Sequence, residues 1–210
     1  MAFVVFEGLD ASGKSTLMTL VREKLQEFHK NFIFLRDPGS TELGERLRNI
    51  ILATDIEAPV PKAETLMYQA ARVQMVEKTI KPHLNKGDWV LCDRFYSSTV
   101  AFQAFARGLD LSEIESLNHF VAGDCPPDLT ILLDITINES VRRKENRAKE
   151  SGVEQDRLEQ EARNFQEKVR EGYLYQAKNQ KNWLVLDGTK TPEELLQLTI
   201  KEFKVRGWLP

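Results

Sequence analysis

Along the chain, short unbroken runs of apolar residues alternate with longer stretches in which apolar positions recur every three or four residues. Runs of strand length separated by helical periods are the pattern of βαβ units around a mostly parallel sheet. Ala2 to Glu7 is the first predicted strand, and after a glycine-rich turn Leu17, Val21, Leu25 and Phe28 fall on one face of a helix. Asn31 to Leu35, Asp88 to Cys92, Leu129 to Asp134 and Trp183 to Leu186 are the four further strands. The pattern therefore predicts an α/β fold with a central five-stranded parallel sheet flanked by helices.

Two segments refine this picture. Leu158, Ala162, Phe165 and Val169 carry a helical stripe, whereas Arg142 to Arg157 is dense in charge, poor in large apolar residues and contains Gly152. That charged stretch, about 142–157, is expected to be mobile. No repeat, low-complexity tract or linker divides the sequence, and 210 residues suit one domain on the usual scale of roughly 100 to 200 residues. A single domain over 1–210 is expected.

Composition narrows the classes of function. With 29 Lys and Arg against 32 Asp and Glu, the formal charge of −3 gives no global attraction to nucleic acid polymers or anionic membranes, so any basic site must be local. The cysteines, Cys92 and Cys125, lack metal-ligand spacing, and no secretion-signal pattern precedes the first strand. A cytoplasmic protein without a disulfide is expected. No apolar run approaches the roughly 18 to 20 residues that span a bilayer.

The strongest chemical signal is Gly8-Leu9-Asp10-Ala11-Ser12-Gly13-Lys14-Ser15, which satisfies G-x-x-x-x-G-K-[ST] between a predicted strand and a predicted helix. Glycines let such a loop wrap tightly, so that backbone N–H groups and the helix N-terminus converge on phosphate oxygens. Lys14 would reach the β- and γ-phosphates of ATP, and the Ser15 hydroxyl would serve Mg²⁺. A P-loop NTPase fold follows. Two other strings are decoys. Asn85-Lys86-Gly87-Asp88 matches the guanine-reading N-K-x-D but precedes a strand instead of following one, so it reads as a turn. Asn138-Glu139-Ser140 fits a glycosylation acceptor without a secretory context.

A second polar cluster, Asp93-Arg94-Phe95, directly follows the third strand, where ligands of parallel sheets gather. Asp93 could hold Mg²⁺ or its waters, and the guanidinium fork of Arg94 suits a phosphate monoester. Arg48 and Arg72 are further candidate anion binders.

Together these residues resemble bacterial thymidylate kinases from Phe3 to about Trp183. Phe6-Glu7-Gly8 to Ser15-Thr16 is similar to that family's opening, and Asp37-Pro38-Gly39 with Thr41 to its E-P-G-G-T stretch. Leu66 to Gln74 resembles its L-M-F-Y-A-A-R-x-Q helix. Asp93-Arg94-Phe95 with Ser98, Ala101 and Gln103 resembles D-R-Y-x-x-S-x-x-A-Y-Q, and Pro127-Asp128-Leu129-Thr130 with Leu133-Asp134 its P-D-L-T-x-x-L-D strand.

The resemblance implies an enzyme that transfers the γ-phosphoryl of ATP to dTMP, giving dTDP and ADP, and that works as a homodimer. ATP would lie on Gly8 to Thr16, with Mg²⁺ at Ser15 and Asp93. Tyr68 would stack on thymine, Arg72 would donate to a thymine carbonyl, and Gln103 would complete the contacts to the base with Ser98 and Thr99 nearby. Arg48 and Arg94 would grip the acceptor phosphate, and Asp10 would reach the 3′-hydroxyl. Arg143, Arg147 and Arg157 resemble the arginines of the family's lid. In the family's other variant an arginine stands in the P-loop where this chain has Ala11, so the lid must supply the cation, and Lys14, Asp10, Arg94, Arg147 and Arg143 form the implied catalytic set. Lys144, Glu145 and Lys149 read as a solvated helix face. The chain departs from the family pattern at Asp37, Ser40, Phe95 and Phe102 and in a longer stretch from Arg147 to Asp156. Another P-loop nucleotide or nucleoside kinase, and an ATP-dependent switch protein with no acceptor, are the alternatives that an acceptor assay separates.

Overall fold

The computed structural model of the chain describes residues 1–151 and 156–210, with 148, 150 and 151 described by their backbone alone. Strands β1 (Phe3–Gly8), β2 (Phe32–Arg36), β3 (Trp89–Asp93), β4 (Leu129–Asp134) and β5 (Trp183–Asp187) form one parallel sheet in the order β2-β3-β1-β4-β5. The class, the strand count and the strand positions match the hydrophobic pattern to within a residue. β1 is central, with Phe6 opposite Asp93 of β3 and Glu7 opposite Leu132 of β4. The connections part to opposite sides of β1, so a crevice opens beyond its carboxyl end.

Alternation along β1 divides the core. Val4 and Phe6 pack with Leu17, Val21 and Leu25 of α1 (Lys14–Glu27) and Phe203 of α9 (Pro192–Val205). Phe3 and Val5 face the other way, toward Met75 of α3 (Pro61–Met75) and Ile80 of the π-helical turn Val76–Ile80 that joins α3 to α4 (Lys81–Asn85). Both faces of the strand are thus covered, which is why its sequence reads as a continuous apolar run. Local signals set several helix starts. Thr41 caps α2 (Glu42–Leu52), Asp110 caps α6 (Leu111–Ala122), and Thr191 with Glu194 forms a capping box before α9. The Asn85 to Asp88 string is a turn, with Gly87 at φ 84°.

The charged stretch differs from its expectation. Its residues as far as Ser151 belong to α7 (Ile137–Ser151), and 152–155, including Gly152, lie outside the described residues. Lys144 is buried instead of solvated, because the turn that follows folds back on α7 and the Glu159 carbonyl accepts from its ammonium at 3.0 Å. The stripe beginning at Leu158 is also not one helix. Asp156 Oδ1 accepts from the amides of Leu158 and Glu159 at 2.9 Å, holding a turn, and α8 (Arg163–Asn179) starts only after Ala162.

α5 (Tyr96–Thr99) runs on as a π-helical segment, Val100–Ala106, which α8 crosses at Gly172. A Cβ there would lie 2.8 Å from Ala101 Cα, so only glycine permits this approach. Gly172→Ala should cost about 1–3 kcal/mol through overpacking, read as a lower urea midpoint with an unchanged slope.

Candidate active site

The loop between β1 and α1 is shaped by backbone constraints. Gly8 has φ 140°, and a Cβ on it would sit 2.5 Å from the Leu133 carbonyl oxygen; Gly13, at φ 101°, turns the chain into α1. Lys14 Nζ donates to the carbonyls of Gly8 and Leu9 at 3.1 Å each, spanning the loop. Burial lowers the pKa of Lys14, and the neighbouring Arg94 lowers it further, so this ammonium gains from any anion placed beside it.

α7 braces the loop. Ser140 Oγ donates to the Asp10 carbonyl at 2.8 Å, and Arg143 donates to the carbonyls of Ala11 and Ser12 at 3.4 and 3.3 Å and to that of Gly188, beyond β5, at 2.9 Å. In a trans peptide the carbonyl and the next N–H point opposite ways. Ser140 and Arg143 thereby fix three successive carbonyls, those of Asp10, Ala11 and Ser12, and with them the planes of the peptides whose N–H groups an anion cradle uses.

Arg94, just past β3, sits at φ 67°, in the left-handed region that non-glycine residues seldom occupy. Its guanidinium donates to Asp10 Oδ1 at 2.6 Å and to Tyr173 Oη at 2.7 Å. Glu7 lies beneath, fully buried, accepting from the Phe95 amide at 3.0 Å and from Ser98 Oγ at 2.7 Å. Burial opposes the charge of Arg94, but Tyr173, Asp10, Asp93 and Glu7 together hold its pKa well above the ordinary value. Burial likewise works against an ionised Asp10, yet Arg94 and Lys14 outweigh it and the net pKa is lowered. Asp10 is thus a fixed carboxylate, poorly suited to be a general base near neutrality.

Two helical stripes meet across an adjoining cleft of about 540 Å³. Glu64, Tyr68 and Arg72 follow one another at four-residue spacing on α3, and Thr99, Gln103 and Arg107 do so from α5 through the π-helical segment. Tyr68, Arg72, Thr99 and Gln103 line the cleft with Arg48, Arg94 and Ser98. Arg72 is held underneath by Asp37, whose Oδ2 accepts from Nε at 2.5 Å, and by Gln69 at 3.0 Å. Glu64 accepts from Gln103 Nε2 at 2.9 Å, from Arg107 at 3.3 and 3.2 Å, and from Arg157 Nη2. Burial pushes the Glu64 pKa up, but these donors prevail and its net pKa is lowered.

The second cleft, about 1010 Å³, is lined by Asp10 to Thr16 with Arg143 and Arg147 of α7, and it meets the first at Asp10, Asp37, Arg48, Arg94 and Asp156. Ser15 and Asp93 lie on this side, and Asp93 Oδ1 is buried with no hydrogen-bond partner among the described residues. An unpartnered carboxylate oxygen lining the same cleft as a serine hydroxyl fits a hydrated Mg²⁺, which needs few protein ligands. Leu9 instead packs in the core, so only its backbone belongs to the loop's surface. Arg147 pairs with Glu159 at 2.6 Å at the edge of this cleft, while Arg157 turns toward the other cleft, donating to the Ile51 carbonyl at 2.9 Å and to Glu64.

Glu64, Arg107, Asp156 and Tyr173 escaped the sequence reading. Two of them had a signal: Glu64 stands one turn before Tyr68 on the same helical face, and Tyr173 continues the spacing of Phe165 and Val169, placing a hydroxyl where burial demands a partner.

A parallel sheet whose central strand feeds a phosphate loop, beside a second cleft joined to it through arginines and aspartates, is the architecture of a P-loop phosphotransferase. The chain belongs to the thymidylate kinase family: that family's sequence profile matches residues 6–199. It is 44% identical over 207 residues to the thymidylate kinase of Bdellovibrio bacteriovorus, covering 98% of this chain and 97% of that protein. It is 39% identical to that of Kosmotoga olearia, covering 96% and 94%, and 41% identical to that of Thermosipho melanesiensis, covering 90% of each. Among the described residues no helix is long and apolar enough to cross a membrane.

The ionised Glu64 also makes a testable contribution to stability. With its folded pKa below the ordinary 4.5, its stabilisation is complete above that pH and is lost as pH falls through the folded value. Glu64→Gln should cost about 1–3 kcal/mol near pH 7, since Arg107 and Arg157 lose a shared carboxylate but keep Glu161 and the Ile51 carbonyl. The gap in Tm between wild type and variant should narrow as pH falls through the folded pKa of Glu64.

Proposed function

We propose that the chain transfers the γ-phosphoryl group of ATP to dTMP, with ATP on the Gly8 to Thr16 loop and dTMP in the cleft between the α3 and α5 stripes. The observation that carries this assignment of sites is the junction of the two clefts at Asp10, Arg48 and Arg94, because in-line transfer requires both phosphates to meet at one point. Arg48 and Arg94 are the clamp for the acceptor phosphate, Arg94 being pre-set by Asp10 and Tyr173. Tyr68 offers a face to the thymine ring, while Arg72 and Gln103 offer polar edges and Ser98 and Thr99 fill the adjoining wall. Asp10, fixed as a carboxylate, accepts from the deoxyribose 3′-hydroxyl. No general base is needed, because a phosphate monoester with a second pKa near 6 is already an anion at neutral pH.

On the donor side, Lys14 and the loop amides hold the β- and γ-phosphates. Ser15 and Asp93 would hold Mg²⁺, which would supply charge neutralisation to the phosphates. Ala11 brings no cation of its own, and the two α7 arginines divide the work. Arg143 is committed to loop carbonyls and acts by bracing the cradle, whereas Arg147, at the cleft's edge, is the residue that compensates charge on the transferring group. The 142–157 segment is the lid of a single domain. We further propose a cytoplasmic homodimer; exposed Leu66 on α3 and Phe120 on α6, two helices packed on one another, supply apolar surface for pairing.

A coupled assay with ATP, Mg²⁺ and a panel of nucleoside monophosphates tests the reading: dTMP should be the best acceptor. Faster turnover of UMP or AMP, or ATP hydrolysis with no acceptor used, overturns it. Arg147→Ala should lower kcat by about 10³-fold or more, in the range of other phosphoryl-transfer arginines, with little change in Tm. Arg143→Ala should instead raise KM for ATP and lower Tm. Light scattering should return twice the 24.1 kDa of one chain.

A further inference from the structure

Gln103 is a primary amide with two different ends, and which end faces the ligand decides what it can read. One end is fixed. Its Nε2 donates to Glu64 Oε1 at 2.9 Å, and an ionised carboxylate can only accept, so the opposite orientation would set two oxygens against each other. Glu64 itself cannot easily move or neutralise: it is fully buried, and Arg107 and Arg157 donate to it from two further directions. Arg107 is in turn tied to Glu161 at 2.6 Å, so the charges of the cluster balance as two arginines and two glutamates.

We propose that Glu64 is a positioning residue that sets the base preference of the acceptor cleft, by turning the Gln103 NH₂ away from the bound base and leaving its carbonyl oxygen as the acceptor. This rests on the assignment of that cleft to dTMP. An acceptor at Gln103 beside a donor-only guanidinium at Arg72 complements a ring edge bearing N–H next to C=O, as in thymine. Cytosine presents the reverse, a lone pair at N3 and an amino group at C4, and meets repulsion at both places. Thr99 Oγ1, buried in the same wall without a partner among the described residues, can donate or accept and so does not discriminate. The selectivity therefore originates in a carboxylate that touches no ligand.

dTMP and 5-methyl-dCMP differ only at ring positions 3 and 4, which makes their kcat/KM ratio the appropriate readout. Measured on one enzyme preparation, the ratio is independent of the fraction folded. Glu64→Gln gives Gln103 a partner that can either donate or accept, so its amide is free to flip. The ratio should fall by about tenfold or more, through a higher KM for dTMP and a lower one for 5-methyl-dCMP, with KM for ATP within about twofold of wild type. In a Gln103→Ala background the same substitution should leave the ratio unchanged, which a purely structural role for Glu64 would not produce. A full wild-type ratio in Glu64→Gln, or an equal fall with and without Gln103, overturns the inference. Should the variant not fold, neutron diffraction of the wild-type dTMP complex decides: deuterons of the Gln103 amide directed at Glu64 support the assignment, and deuterons directed at the base refute it. If wild type prefers another monophosphate to dTMP, the functional reading fails; if it prefers dTMP and only the variants behave otherwise, the inference about Glu64 fails alone.

Discussion

The site depends on one buried guanidinium. Arg94 joins the phosphate loop through Asp10, the end of β1 through the nearby Glu7, and α8 through Tyr173, while its own backbone is held in the left-handed region. A charge so placed is tolerable only where several acceptors surround it, because the loss of hydration must be offset by fixed partners. Those partners come from three parts of the chain that the sheet order brings together at the end of β1. The same ion pair keeps Asp10 ionised and Arg94 fixed in place.

Around this knot the protein separates fixed surfaces from ones able to respond. The cleft lined by Tyr68 and Gln103 is walled by two helical stripes whose polar residues are satisfied from behind, Arg72 by Asp37 and Gln103 by Glu64. At the phosphate loop, Arg143 is spent on loop carbonyls and belongs to the framework, whereas Arg147 reaches the cleft from farther along α7. Arg157, after the same charged stretch, ties the turn at Asp156 to α2 and α3. The turn at Asp156 is therefore anchored to the helices that carry Tyr68 and Arg48.

The sequence by itself determined the sheet, because β1, β3 and β4 are buried on both faces and can only be continuous apolar runs. It also determined the phosphate loop, whose glycines are required by local backbone geometry at Gly8 and Gly13. Arg94, Tyr68 and Gln103 were legible through motif order and strand position. Only the tertiary structure decided that Lys144 is buried, that Arg143 and Arg147 differ in employment, and that Glu64 holds Gln103. In each case the deciding partner lies far along the chain: Glu159 for Lys144, Gly188 for Arg143, Gln103 for Glu64. Hydrophobic period and turn chemistry are local and can be read in order. The partner of a buried charge is chosen by what the fold places beside it, and no local pattern records that choice.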